Sequence, residues 1–201
     1  MNLPNKITIS RIIMSFIIIV ILLFPFESAG LILPKLLISK TLVIDLRYIF
    51  AGILFIIASI TDYIDGNIAR KRNLVTDFGK VLDAIADKVL VNSVLIILAS
   101  KGFISPLIPV VIVVRDSIVN SIKMVAGSKG NTVAAIFTGK LKTACLMFGI
   151  ILTLFYNLPF ELFNIKVSDA LLILACAFAI VSAVQYYNMN KKYIFEDQST
   201  K

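Results

Sequence analysis

No histidine occurs anywhere in the 201 residues, and only two cysteines do. Without histidine, proton transfer and metal coordination both fall to carboxylates. Cys145 and Cys176 stand far apart, each inside an apolar run. That spacing gives no disulfide framework and no zinc motif. Both are expected to be buried thiols that pack as small hydrophobes. Acidic residues are scarce as well: 12 Asp and Glu face 20 Lys and Arg, for a net charge of +8. No internal repeat and no low-complexity linker breaks the chain into separate units.

What the chain has in excess is apolar sequence. Hydrophobic residues make up 59% of it, and the mean hydropathy is +0.95. Soluble domains sit near 45–50% apolar, so a single compact membrane domain is the natural class. A surplus of basic residues can mark a nucleic-acid binder. In a membrane protein it marks cytoplasmic loops and contacts to anionic lipid head groups instead. No nucleic-acid partner is expected.

A spanning helix needs about 20 mostly apolar residues. Six such segments are predicted, at roughly 6–26, 45–70, 80–100, 104–126, 138–157 and 168–190. The breaks carry turn residues: Pro25 to Pro34, the Lys71–Phe78 loop, Lys101-Gly102, Gly127 to Gly130 and Asn157-Leu158-Pro159. Residues 1–195 read as one transmembrane catalytic domain and 196–201 as a polar tail. The start, with Lys6, Arg11, an apolar run and Ser28-Ala29-Gly30, imitates a signal peptide. A first transmembrane helix is the better reading, because further spans follow and its polar head carries a pattern of its own.

Charge orients the bundle. Lys6, Arg11, Arg70, Lys71, Arg72, Lys80, Lys123, Lys129, Lys140, Lys142, Lys191, Lys192 and Lys201 collect on one side. Lys35, Lys40, Arg47, Lys101 and Lys166 collect on the other. The count, 13 against 5, places both termini in the cytoplasm of a multi-pass plasma-membrane protein. Lys88 and Arg115 stay inside predicted spans, where each needs a partner or a route to the interface.

The stretch DYIDGNIARKRNLVTDFGKVLDAIAD, Asp62 to Asp87, concentrates the chemistry. Asp62 and Asp65 are i, i+3 near the end of the second predicted helix. Asp83 and Asp87 are i, i+4 near the start of the third. Each pair shares a helix face, and the short connection makes the two helices antiparallel neighbours. Carboxylates at membrane depth are expensive and usually functional. Four that face one another repel unless cations lie between them. All-oxygen ligands favour hard ions such as Mg²⁺ or Mn²⁺. Two such ions can clamp both oxygens of a displacement at phosphorus. Gly66 and Ala69 lie on the side of Asp62 and Asp65, and Gly79 one turn before Asp83. Small residues there suit close helix packing or a slot for a flat ligand. Beside four aspartates the slot is the reading taken.

The frame D-x2-D-G-x2-A-R-x8-G-x3-D-x3-D resembles the signature of the CDP-alcohol phosphatidyltransferase family in all eight defining residues. Eight fixed positions match by chance on the order of 10⁻⁹ per start site. The resemblance implies an all-α integral membrane protein of six transmembrane helices, with a polar active site facing the cytoplasm. It implies two Mg²⁺ or Mn²⁺ ions, a bound CDP-linked lipid and a homodimer. It further implies Asp62, Asp65, Asp83 and Asp87 as metal ligands, with Asp87 also the general base. Asp62, Asp65 and Asp83 would position the diphosphate, Gly66, Ala69 and Gly79 would form the nucleotide slot, and Arg70 would meet a phosphate. One departure is Ala84, where many relatives have proline.

The 26-residue signature fixes only the CDP half. Asn5, Thr8 and Arg11, three apart on one helix face, resemble the N-x2-T-x2-R opening of bacterial phosphatidylglycerophosphate synthases. That resemblance puts Asn5 and Thr8 on the CDP-lipid side. The run Gly139-Lys140-x-Lys142-Thr143 resembles the same enzymes. An acceptor that carries its own phosphate needs fixed cations. Arg115, Lys140 and Lys142, with Lys123, are the candidates. The implied reaction joins CDP-diacylglycerol and sn-glycerol 3-phosphate. Phosphatidylglycerol, inositol phosphate or serine are alternative acceptors. A divalent-cation transporter is the alternative outside enzymes, but its carboxylates belong near the midplane at broken helices, not at one interface.

Overall fold

Apolar runs punctuated by proline and glycine give six long helices in the computed structural model. They are α1 (Leu3–Leu23), α2 (Leu46–Lys71), α3 (Asp77–Ser100), α4 (Leu107–Ser128), α5 (Phe137–Leu154) and α6 (Val167–Phe195). The structure describes residues 3–30, 34–38, 42–71, 77–131 and 133–195, without the side chains of 3–6, 35–38, 42, 63–71, 77, 78, 80, 194 and 195. The six predicted segments match these helices, with shifts of a few residues at the ends. Pro25, which cannot continue a helix, follows the end of α1. Gly102 closes α3 at φ +77°. There Phe103 N–H donates to Leu98 O at 3.0 Å and Gly102 N–H to Ala99 O at 3.1 Å. The same paired closure recurs at Gly130 after α4.

The all-helical expectation needs one correction. Lys35–Ile38 (β1) and Leu42–Asp45 (β2) pair antiparallel, with Lys35 opposite Asp45. Val43 is exposed and Ile44 buried, the alternation of a strand with one covered face. Asp45 then caps α2: its Oδ1 accepts Arg47 N–H at 2.9 Å. Its own N–H donates to Tyr156 Oη at 3.0 Å, which ties the hairpin to the turn after α5.

A single apolar core joins all six helices, with Ile18, Phe55, Leu95, Ile112, Ile150 and Leu172 fully buried or nearly so. Gly149 lets α5 and α6 approach closely, since a Cβ there would stand 2.8 Å from Leu172. The inner faces change character along their length. On α1 the buried positions run Thr8, Arg11, Ser15, then Ile18 and Leu22. On α6, after Ser168, they run Leu172, Ala175, Ala179, then Ser182, Tyr186 and Asn190. Because the two helices are read from opposite ends, both stripes turn polar where α2 ends and α3 begins.

The outer faces are apolar. Phe16, Phe50, Ile96, Val114, Phe148 and Ile180, one from each helix, are exposed. Soluble monomers rarely carry so continuous an apolar exterior, and it matches a lipid environment. Among the described residues, Phe137–Leu154 and Val167–Tyr193 are long and apolar enough to cross a bilayer, and Ile7–Leu23 is a shorter apolar run. The chain is therefore a mostly helical, membrane-associated protein.

Candidate active site

The polar end of the bundle gathers charges from five helices. Arg11 comes from the inner stripe of α1, held by Ser15 Oγ, which donates to Arg11 O at 2.8 Å. Its side chain is 1% exposed. The guanidinium Nη1 donates to Asp83 Oδ1 of α3 at 2.9 Å and pairs with Asp62 of α2. Asp62 and Asp83 are 42% and 53% exposed, so the carboxylates open to the surface while the guanidinium beneath them is buried. A charge this deeply buried is tolerable only when paired, and here it is paired twice.

One turn along α3, Asp87 is exposed. It lies within electrostatic reach of Lys142, Asp83, Arg11 and Asp116. Lys142 and Asp116 belong to a cluster from α4, α5 and α6. Lys142 Nζ donates to both oxygens of Asp116, at 2.9 and 3.0 Å. Arg115 Nη1 donates to Asp116 Oδ1 at 2.8 Å, and its Nη2 to Ser182 Oγ at 2.7 Å. Arg115 Nε is buried and meets no acceptor among the described residues. Tyr186 lies beneath: Lys123 Nζ sits 4.8 Å from its ring centre and the Arg115 guanidinium 5.8 Å. Tyr186 Oη accepts Ile136 N–H at 3.1 Å, which fixes the start of α5.

The predicted residues therefore divide. Asp62 and Asp83 meet at Arg11, Asp87 stands one turn beyond Asp83 on α3, and Thr8 is buried on the same α1 face. Gly79 is half-buried on α3. Arg115 and Lys142 share Asp116, and Arg115 and Lys123 share the Tyr186 ring. Lys140 does not join them by contact; it is exposed on the outer side of α5. The side chains of Asn5, Asp65, Ala69 and Arg70, and the surroundings of Gly66, lie outside the described residues. Three participants were not assigned from the sequence: Arg11 as the carboxylates' partner, Asp116 as the anchor of two cations, and the Ser182–Tyr186 stripe. The i, i+4 spacing of Ser182, Tyr186 and Asn190 on an otherwise apolar helix was the available signal.

Does this donor set suit a divalent ion? Carboxylate oxygens from α2 and α3 already converge on one cation, the Arg11 guanidinium. Hard oxygen ligands held so fit Mg²⁺ or Mn²⁺ in chemistry. Among the described residues no three carboxylate or thiol groups form a ready ligand set by themselves. The fourth aspartate, Asp65, is outside that group.

Comparison with known proteins agrees with the chemistry. The model of the family CDP-alcohol phosphatidyltransferase matches residues 1–181. A Bacillus subtilis (strain 168) protein named CDP-diacylglycerol–glycerol-3-phosphate 3-phosphatidyltransferase is 40% identical over 94% of this chain and 95% of its own length. One from Rickettsia bellii with the same name is 33% identical over 96% of this chain and 97% of its own. One from Rickettsia felis, again so named, is 32% identical over the same shares. With the family's model spanning nine tenths of the sequence, and an arginine-bridged carboxylate group facing a cation cluster, this chain belongs to the CDP-alcohol phosphatidyltransferase family.

Proposed function

We infer that the chain transfers the phosphatidyl group of CDP-diacylglycerol to sn-glycerol 3-phosphate, giving phosphatidylglycerophosphate and CMP. The observation that carries this reading is the meeting, along one face of α3, of the carboxylate group with the Arg115–Lys142 cluster. The first half suits a diphosphate held through cations, the second a free phosphate.

Residues 1–195 act as one catalytic domain crossing the plasma membrane six times. At 1.5 Å per residue the helices are about 27–44 Å long, against a hydrocarbon core of about 30 Å. Both termini and the cleft face the cytoplasm, as the basic residues indicate. A homodimer is expected from the family.

Asp62, Asp65, Asp83 and Asp87 would hold two Mg²⁺ or Mn²⁺ ions, which supply positive charge against the diphosphate and the leaving CMP. Asn5, Thr8, Gly66, Ala69, Arg70 and Gly79 surround the nucleotide. Arg115, Lys142 and Lys123 hold the acceptor phosphate. The acceptor hydroxyl oxygen bonds to the phosphorus that carries the lipid, and the bond from that phosphorus to CMP breaks. Asp87 takes the hydroxyl proton. The acyl chains remain in the bilayer.

CMP release by the purified protein, measured with a panel of acceptors, tests the reading. Glycerol 3-phosphate should be preferred over phosphatidylglycerol, inositol phosphate and serine. Release with serine alone would overturn the acceptor and leave the phosphatidyl transfer standing.

Arg115→Met and Lys142→Met are expected to raise KM for glycerol 3-phosphate about ten- to a hundredfold, the scale of one lost charge-assisted bond. KM for the CDP-lipid should change little. An unchanged acceptor KM would show that the phosphate sits elsewhere.

A further inference from the structure

Arg11 is the one buried cation among the described residues that contacts carboxylates of both α2 and α3. It belongs to neither helix. The stripe Thr8, Arg11, Ser15 sets it beneath the carboxylates, where α1 packs on both neighbours. One terminal nitrogen, Nη1, takes Asp62 Oδ1 and Asp83 Oδ1 together. These are the oxygens that a dication would need.

We propose that Arg11 is a place-holding cation, a positioning residue that keeps Asp62 and Asp83 together in the ion-free protein and competes with a dication for them. The proposal rests on reading those aspartates as ion ligands.

The physical argument has three steps. Asp62 and Asp83 bring like charges from two helices that each pack on α1, and side by side in a setting of lowered dielectric they repel. A guanidinium with a planar fork, rooted on a third helix, removes that repulsion without any bound ion. Yet a carboxylate oxygen that accepts from Nη1 is turned toward α1. Its remaining lone pairs can still ligate a dication, but the ion must then share the carboxylates with a fixed positive charge. Arg11 therefore favours the assembled, empty site and weakens ion binding. Its 1% exposure leaves it no route to bulk water, so the competing charge stays close. Once a diphosphate lies in the site, the guanidinium has a new anionic partner.

The test uses the full chain in detergent micelles, stripped of ions and titrated with Mn²⁺ alone. Free Mn²⁺ is followed by electron paramagnetic resonance. Arg11→Met keeps the apolar stem and removes the charge. It is expected to bind Mn²⁺ at least about tenfold more tightly than the parent. It should also melt at a lower temperature when ion-free, with the gap closing as Mn²⁺ is added. Arg11→Lys, with a point charge that reaches fewer oxygens, should fall between. If Arg11→Met does not fold, Arg11→Lys decides the question alone. Equal or weaker Mn²⁺ binding in the variant would overturn the proposal, since a residue that merely packs or supports the ligands cannot tighten binding when lost. Asp83→Asn, expected to weaken Mn²⁺ binding, separates the two levels. Parental binding in Asp83→Asn would overturn the ligand reading and the Arg11 proposal with it.

Discussion

Asp87→Asn is expected to lower turnover by at least about a hundredfold while the protein stays folded. Asp87 is exposed, one turn beyond Asp83 on α3. The substitution preserves shape and removes one negative charge, so stability has little reason to fall. What it removes is a carboxylate within electrostatic reach of Lys142, Asp83, Arg11 and Asp116. An amide cannot take a proton from the acceptor hydroxyl, and kcat should fall while both KM values change less. Asp62→Asn and Asp83→Asn should lose as much turnover by another route. Each also gives up a contact to Arg11, so each should shift the thermal midpoint where Asp87→Asn does not. Asp77, off the frame, is the control. If Asp77→Asn were crippling and Asp87→Asn mild, the roles would be wrongly assigned.

Much of this arrangement was legible because it depends on spacing. Glycine at 102 and 130 and proline at 25 ended helices where their backbone preferences require. The i, i+4 spacing put Asp83 and Asp87 one turn apart on α3, and Asp83 meets Asp62 of α2 through Arg11. The three-residue spacing of Asn5, Thr8 and Arg11 put the last two on one buried face. What stayed hidden depends on partners far apart in sequence. Arg11 and Asp83 are 72 positions apart, and Arg115 and Ser182 are 67. A serine or tyrosine in an apolar helix looks ordinary until a buried guanidinium is found against it. Asp116 was visible as the neighbour of Arg115, but its grip on Lys142 is a contact between α4 and α5 that no local pattern encodes. The hairpin was missed for a different reason. The run from Leu36 to Ile44 is mostly apolar, and short runs of that kind do not distinguish strand from helix edge or loop.

Removing divalent ions is expected to reduce CMP release to background, and Mg²⁺ or Mn²⁺ should restore it. The argument is one of charge. Asp62, Asp83 and Asp87, with Asp65, bring four negative charges to the ends of α2 and α3. The diphosphate of a CDP-lipid adds more. Against these the described residues set Arg11, while Asp116 already engages Arg115 and Lys142. A diphosphate entering that cleft without added cations would meet net repulsion of several kcal/mol at the dielectric of a protein surface. Histidine is absent from the chain, so no neutral nitrogen ligand can substitute. Chelation should leave the protein folded, because Arg11 still joins Asp62 to Asp83. A retained thermal midpoint with lost activity would therefore mark ion loss from the site, distinct from unfolding. Full CMP release from a stripped sample, with the ion content verified by elemental analysis, would show that the aspartates work without metal and that the two-ion reading is wrong.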